Sequence, residues 1–204
     1  IIAMGNVVII DKIKKIKIEA NKIFYSKYEN QISALNNVKF TDENKNITIT
    51  SEEISYFKNE EKLFAKNEVK LNDLNNSIRI QTDEITYLKN ESKFFTKGNT
   101  IADVYSKYIF TSENVFFLQN EMRLYSSKKT TMKDLKNTFY ELGSFDYKIQ
   151  DEYLKGTEIL IVENSNSPSD LRNKFYFESG FFDLKNNNFK TGSAKIHLKK
   201  NIFD

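Results

Sequence analysis

Asp42, Asn44, Asn46 and Glu53 fall at positions 1, 3, 5 and 12 of a calcium-binding loop, a spacing that wraps oxygen ligands around a hard cation. The sixth position is Ile47, where such a loop needs glycine for its sharp turn, and alternating segments rather than helices flank it. An Asn-rich turn explains the spacing better. Softer metal ligands are scarce: the chain has no Cys and a single His, His197, between Ile196 and Leu198 in an alternating segment, where it reads as a strand-surface residue. Adjacent acids such as Glu52-Glu53, Glu60-Glu61 and Asp83-Glu84 sit in or near polar segments and recur with a regular spacing. A general acid–base pair serves one reacting bond and should be unique, so recurrence reads as a solvated face. The chain carries no phosphate loop, no Gly-x-Ser-x-Gly elbow and no dinucleotide fingerprint. It reads as a non-enzyme with neither cofactor nor metal.

Composition narrows the class further. The chain has 204 residues, of which 39% are hydrophobic and 14% aromatic, including 17 Phe and 11 Tyr. That much apolar area can offset the ordering entropy that keeps polar chains unfolded. Lys and Arg number 31 against 28 Asp and Glu, a balance unlike the clustered basic footprint of a nucleic-acid binder. Only Arg79, Arg123 and Arg172 are arginine, and the Lys, Asn, Ile and Phe excess reads as AT-rich codon usage. No apolar run is long enough for a membrane-spanning helix. The chain opens Ile1-Ile2-Ala3-Met4-Gly5 without an initiator or signal peptide, and is expected to be cut from a longer protein.

An internal repeat organises the whole. Ile18, Ile49 and Ile80 are 31 residues apart, and Phe110 follows at 30. The same step links Ala20, Ser51, Thr82 and Ser112, then Ile23, Ile54, Ile85 and Val115, then Tyr25, Tyr56, Tyr87 and Phe117. A second set runs Ala3, Ala34, Ala65, Thr96 and Val7, Val38, Val69, Thr100, with Ile9, Phe40, Leu71 and Ala102 in register. Within each copy the apolar residues alternate, as Ile16, Ile18 and Ala20 do against Lys15, Lys17 and Glu19. Period two is the mark of a strand with one buried face. The fold class is all-β.

The phase then flips. Ile16, Ile18 and Ala20 are even-numbered, whereas Ile23 and Tyr25 are odd. A flat strand would turn its apolar set outward after such a slip, so a corner or bulge at the small Ala, Ser or Thr is expected to keep it inward. Polar segments, such as Ser26 to Asn30 and Thr41 to Asn46, separate the passes about every 15 or 16 residues. The architecture predicted is an antiparallel stack of bent strands, two facing sheets with an apolar trough between them. Residues 1–125 carry the repeat. Residues 126–204 are expected to add further strands of the same stack with longer connections, including a loop from Asn164 to Asp170 around Pro168.

The repeated Ile-x-Ala/Ser/Thr-x-x-Ile-x-Tyr strand alternates with segments such as Gln31-Ile32-Ser33-Ala34-Leu35-Asn36-Asn37-Val38. Together they resemble the OstA-type β-jellyroll of lipopolysaccharide-transport proteins, the family of the bridge protein LptA, the inner-membrane LptC and the amino-terminal domain of LptD. Phe181-Phe182-Asp183-Leu184 and Phe189-Lys190-Thr191-Gly192-Ser193-Ala194-Lys195-Ile196-His197-Leu198 are similar to the stretch joining jellyroll to barrel in LptD of alphaproteobacterial type. The large barrel itself is not in this sequence. The resemblance implies a periplasmic segment at the outer membrane that shelters lipopolysaccharide acyl chains and passes them from an LptA-like jellyroll toward a barrel with an LptE-like lipoprotein. It implies Ile18, Tyr25, Ile49, Tyr56, Ile80, Tyr87, Phe110 and Phe117 as the lipid-facing stripe. Burial at roughly 0.8 kcal/mol per CH₂ makes such a trough a competent lipid holder.

The first strand supplies the candidate partner edge. Val7, Val8 and Ile9 have neither Pro nor charge to blunt strand addition by another jellyroll, the first lysine being Lys12. Two other readings fit the same repeat. One is a free LptA-like bridge; the other is a structural β-solenoid or adhesin stalk, whose interior should be closed and packed.

Overall fold

The computed structural model describes residues 1–163, 165–168 and 172–198. Parts of the Pro168 loop and the last six residues lie outside that range, as does the side chain of His197. Seven long strands come first: β1 (Ile2–Asp11), β2 (Ile16–Ser26), β3 (Gln31–Asp42), β4 (Ile47–Phe57), β5 (Lys62–Asp73), β6 (Ile78–Leu88) and β7 (Lys93–Val104). Shorter pieces follow as β8 (Tyr108–Glu113), β9 (Phe116–Leu118), β10 (Arg123–Ser126), β11 (Thr130–Asp134), β12 (Phe139–Leu142) and β13 (Ser144–Lys148). The chain then runs through β14 (Tyr153–Val162), β15 (Lys174–Asp183), β16 (Asn188–Thr191) and β17 (Ala194–His197). No α-helix occurs among the described residues, and every strand pairing is antiparallel. The fold is an all-β jellyroll-like stack.

The repeat region is a plain meander in which each of β1 to β7 pairs with the next. Beyond it the passes persist as broken strands laid end to end. β8 and β9 both pair with β7, β11 and β10 lie on them, and β12 and β13 follow, each pairing with β14. β15 pairs with β14 and carries β16 and β17. All the strands thus belong to one hydrogen-bonded sheet.

Each pass bends in its middle, and the register of every pair in the repeat shifts there. Even strands bend as expected at Ala20, Ser51 and Thr82, which stay buried before the inward set restarts at Ile23, Ile54 and Ile85. Odd strands use a different device. Gly5-Asn6, Asn36-Asn37 and Asn67-Glu68 take positive φ, as does Gly98, again 31 residues apart. Left-handed backbone is open to Gly and tolerated by Asn. These bends correct the expectation that small residues alone turn the chain. Gly98 is further constrained by space, because a Cβ there would run into the Asp83 carboxylate. That carboxylate also accepts the Asn99 N–H at 2.9 Å.

The bends divide the ladder into two halves that face each other. Ring contacts prove the facing: Phe40 of one half meets Tyr56 of the other at 5.7 Å, and Phe110 meets Phe145 at 5.0 Å. One continuous apolar core runs between them from Ile16 to Phe182. Among the described residues β1 pairs only with β2, so one row of its backbone groups faces outward.

Candidate functional site

Sequence alternation places the eight candidate lipid-facing side chains correctly on the inner face. Ile18, Ile49, Ile80 and Phe110 line one half, and Tyr56, Tyr87 and Phe117 line the other, all with 0% or 1% exposure. Tyr25 is half-buried and packs against the same core; its hydroxyl donates to Asn30 Oδ1 at 3.1 Å. Between the halves the space is filled by the protein's own side chains. Phe40 meets Tyr56 and Tyr87 across the halves at 5.7 and 6.5 Å, while Tyr87, Phe94 and Phe117 stack side by side along one half at 4.2 and 5.5 Å. Where the repeat is most regular, the expected trough is a packed interior.

Pockets open at the two ends instead. One, of about 460 Å³, lies at the β1 end among Ile9, Ile16, Ile18, Ile32 and Tyr56, with Lys58 at its rim. Another, of about 350 Å³, lies at the far end among Phe175, Phe177, Phe182 and Phe189, rimmed by Asp134 and Glu163.

The seam between the halves, where the hairpin turns meet, is bridged by side chains 44 to 47 residues apart. Asp42 is fully buried and receives Lys89 Nζ at 3.2 Å and the Tyr87 hydroxyl at 3.0 Å. One repeat earlier Asp11 meets Lys58 at 3.3 Å, and Lys14 meets Glu61 at 2.6 Å. Lys45 donates to the Ser92 hydroxyl. One repeat later Asp73 accepts from the Gln119 amide at 2.9 Å, and farther on Glu152 takes Lys107 at 2.5 Å and the Tyr108 hydroxyl at 3.0 Å. The aspartates also hold their own turns: Asp11 accepts the Lys14 N–H, Asp42 that of Asn44 and Asp73 that of Asn76.

Electrostatics follow from this geometry. The Lys14 N–H, opposed in part by burial and helped by Lys58, holds the Asp11 carboxyl below the ordinary range. Burial, then the neighbouring Asp42, pushes the Tyr87 phenol well up, and burial, then Glu61, does the same for Tyr56. Both phenols are therefore O–H donors across the neutral range.

The polar candidates and the edge residues fall in different places. Asp42 and Glu53 do not converge as calcium ligands: Asp42 is spent on the seam, and Glu53 pairs with Lys66 at 3.1 Å on the outer face. Glu61 spans the seam rather than a solvated face. Glu84 does sit outside, paired with Lys97 at 3.1 Å. Of the partner-edge residues, Val7 and Ile9 turn inward and pack on the core, while Val8 points out. The outer face of β1 is unusually apolar, with Ile2, Met4, Val8 and Ile10 all exposed. The Gly5-Asn6 bend also interrupts the β1–β2 pairing, as its counterparts do in the strands paired on both sides. No protein-family model matches the chain, and no curated protein matches it.

Proposed function

We propose that this chain is the periplasmic jellyroll of an LptD-like lipopolysaccharide transport protein, non-catalytic and placed at the periplasmic face of the outer membrane. It receives acyl chains from an LptA-like jellyroll and passes them toward an outer-membrane barrel. The observation that carries this reading is the uninterrupted apolar interior, which opens as an Ile-lined pocket beside the edge strand β1. A second jellyroll adding a strand there would join its own interior to this one through backbone hydrogen bonds. The exposed Lys12 at that mouth offers a solvated charge for phosphate groups. A free LptA-like bridge uses the same geometry without the barrel.

A structural stalk is the second reading, and the filled middle of the interior favours it. Site-specific photocrosslinking separates the two. A crosslinker replacing Ile49 or Ile80 should capture lipopolysaccharide, whereas one replacing Lys17 or Arg79 on the outer face should not. Equal capture from both faces, or none from either, supports the stalk.

A further inference from the structure

The first two rungs of the seam are repeats of each other, with Tyr56, Asp11 and Lys58 each standing 31 residues before Tyr87, Asp42 and Lys89. The second rung is complete: phenol and ammonium both reach the Asp42 carboxylate. The first is not. Lys58 still meets Asp11, but among the described residues the buried Tyr56 hydroxyl has no hydrogen-bond partner. The Asp11 carboxylate lies partly exposed on the edge strand, its Oδ1 taken by the N–H groups of Ile13 and Lys14. Tyr147 also has a buried hydroxyl without a partner among the described residues, but its ring is packed against those of Tyr108 and Phe110 and lines none of the pockets at the two ends. Tyr56 instead lines the 460 Å³ pocket at the β1 mouth.

Native interiors rarely leave a polar group in this state, and one that also borders an open pocket is placed to take its partner from what enters there. Here the surroundings define what that is. The walls are Ile9, Ile16, Ile18 and Ile32, which suit a hydrocarbon chain. The phenol, protonated at neutral pH, offers one donor and needs an acceptor oxygen. At the rim Lys58 is paired with Asp11 and the exposed Lys12 stands beside them, so a neutral ester oxygen and a carboxylate are both accommodated.

We infer that the β1 mouth is an acyl-chain site in which Tyr56 donates its hydroxyl proton to the ligand's acyl oxygen, taking the place that Asp42 fills for Tyr87. The ligand class is an amphiphile whose hydrocarbon chain ends in a carboxylate or ester. This deepens the lipid-conduit reading and rests on it, since it names the polar anchor at the point where the path begins.

The test titrates the full chain with dodecanoate, a free acid, and with sucrose monododecanoate, an uncharged ester, below their micelle concentrations. Tyr56→Phe keeps the ring and removes only the donor, and should weaken binding of both probes about fivefold to tenfold. Its thermal midpoint should equal or exceed that of the native chain, because an unsatisfied O–H has been removed. Tyr87→Phe should behave in the opposite way, losing stability and keeping probe affinity. Unchanged binding by a folded Tyr56→Phe, or no saturable binding by the native chain, overturns the inference. Lipopolysaccharide capture at Ile49 with Tyr56-independent binding would remove the anchor and leave the conduit standing. Tyr56-dependent binding without such capture would do the reverse.

Discussion

Asp42 has no exposed surface, and three donors converge on it: the Lys89 ammonium, the Tyr87 hydroxyl and the Asn44 N–H. Removing one member of such a pair strands the other in a low-dielectric interior. Asp42→Ala should therefore lower unfolding stability by about 3–5 kcal/mol. Asp11→Ala, at the partly exposed first rung, should cost about 0–1 kcal/mol for its ion pair. Urea denaturation of the two variants checks the contrast, and equal losses would mean that the second rung is no special clasp. The spacing of Asp11, Asp42 and Asp73 is visible in the sequence, since they stand 31 residues apart at the starts of turns. Their cross-seam partners were not legible, because Lys58, Lys89 and Gln119 lie three passes farther along and meet them only once the sheets face. The same separation hid the roles of Glu61 and Tyr56.

At the scale of the strand, alternation and phase were enough to place the inner face, the turns and the existence of a bend in each pass. The means of bending was only half visible. Small residues mark the even strands, but the odd strands turn on left-handed pairs that look like ordinary surface Asn in a polar-rich chain. A β-branched residue resists that conformation by about 1–2 kcal/mol. Asn37→Val, at φ 54 and exposed, should destabilise the protein by about that amount. Glu68→Gly at the equivalent bend, where φ is 56, should stabilise it by a similar or smaller amount. Denaturation midpoints measure both, and a neutral Asn37→Val would show that the bend relaxes out of the left-handed region. The C-terminal strands were less legible for a related reason. Breaks between β8 and β9 and between β12 and β13 reset the phase, and the exposed Ser127 to Lys129 interrupt the alternation between β10 and β11, so the period fades although the passes continue.

The molecule as a whole combines an apolar interior suited to lipid with a middle that its own aromatic rings already fill. Both facts hold together if the two halves part along the seam when acyl chains enter, with Phe40 giving up its ring contacts to Tyr56 and Tyr87 for chain contacts. Two exposed turn residues, Asn44 and Asn90, flank the Asp42–Lys89 rung on opposite sides of that seam. The chain has no cysteine, so Cys substituted at these two positions takes spin labels without competition. Pulsed electron paramagnetic resonance then reads the seam directly, with and without saturating lipopolysaccharide. A conduit predicts that the inter-label distance lengthens by several ångströms, about the thickness of an inserted chain, as the lipid binds. A distance that stays fixed while bound lipid is demonstrated in the same sample would contradict passage through this interior.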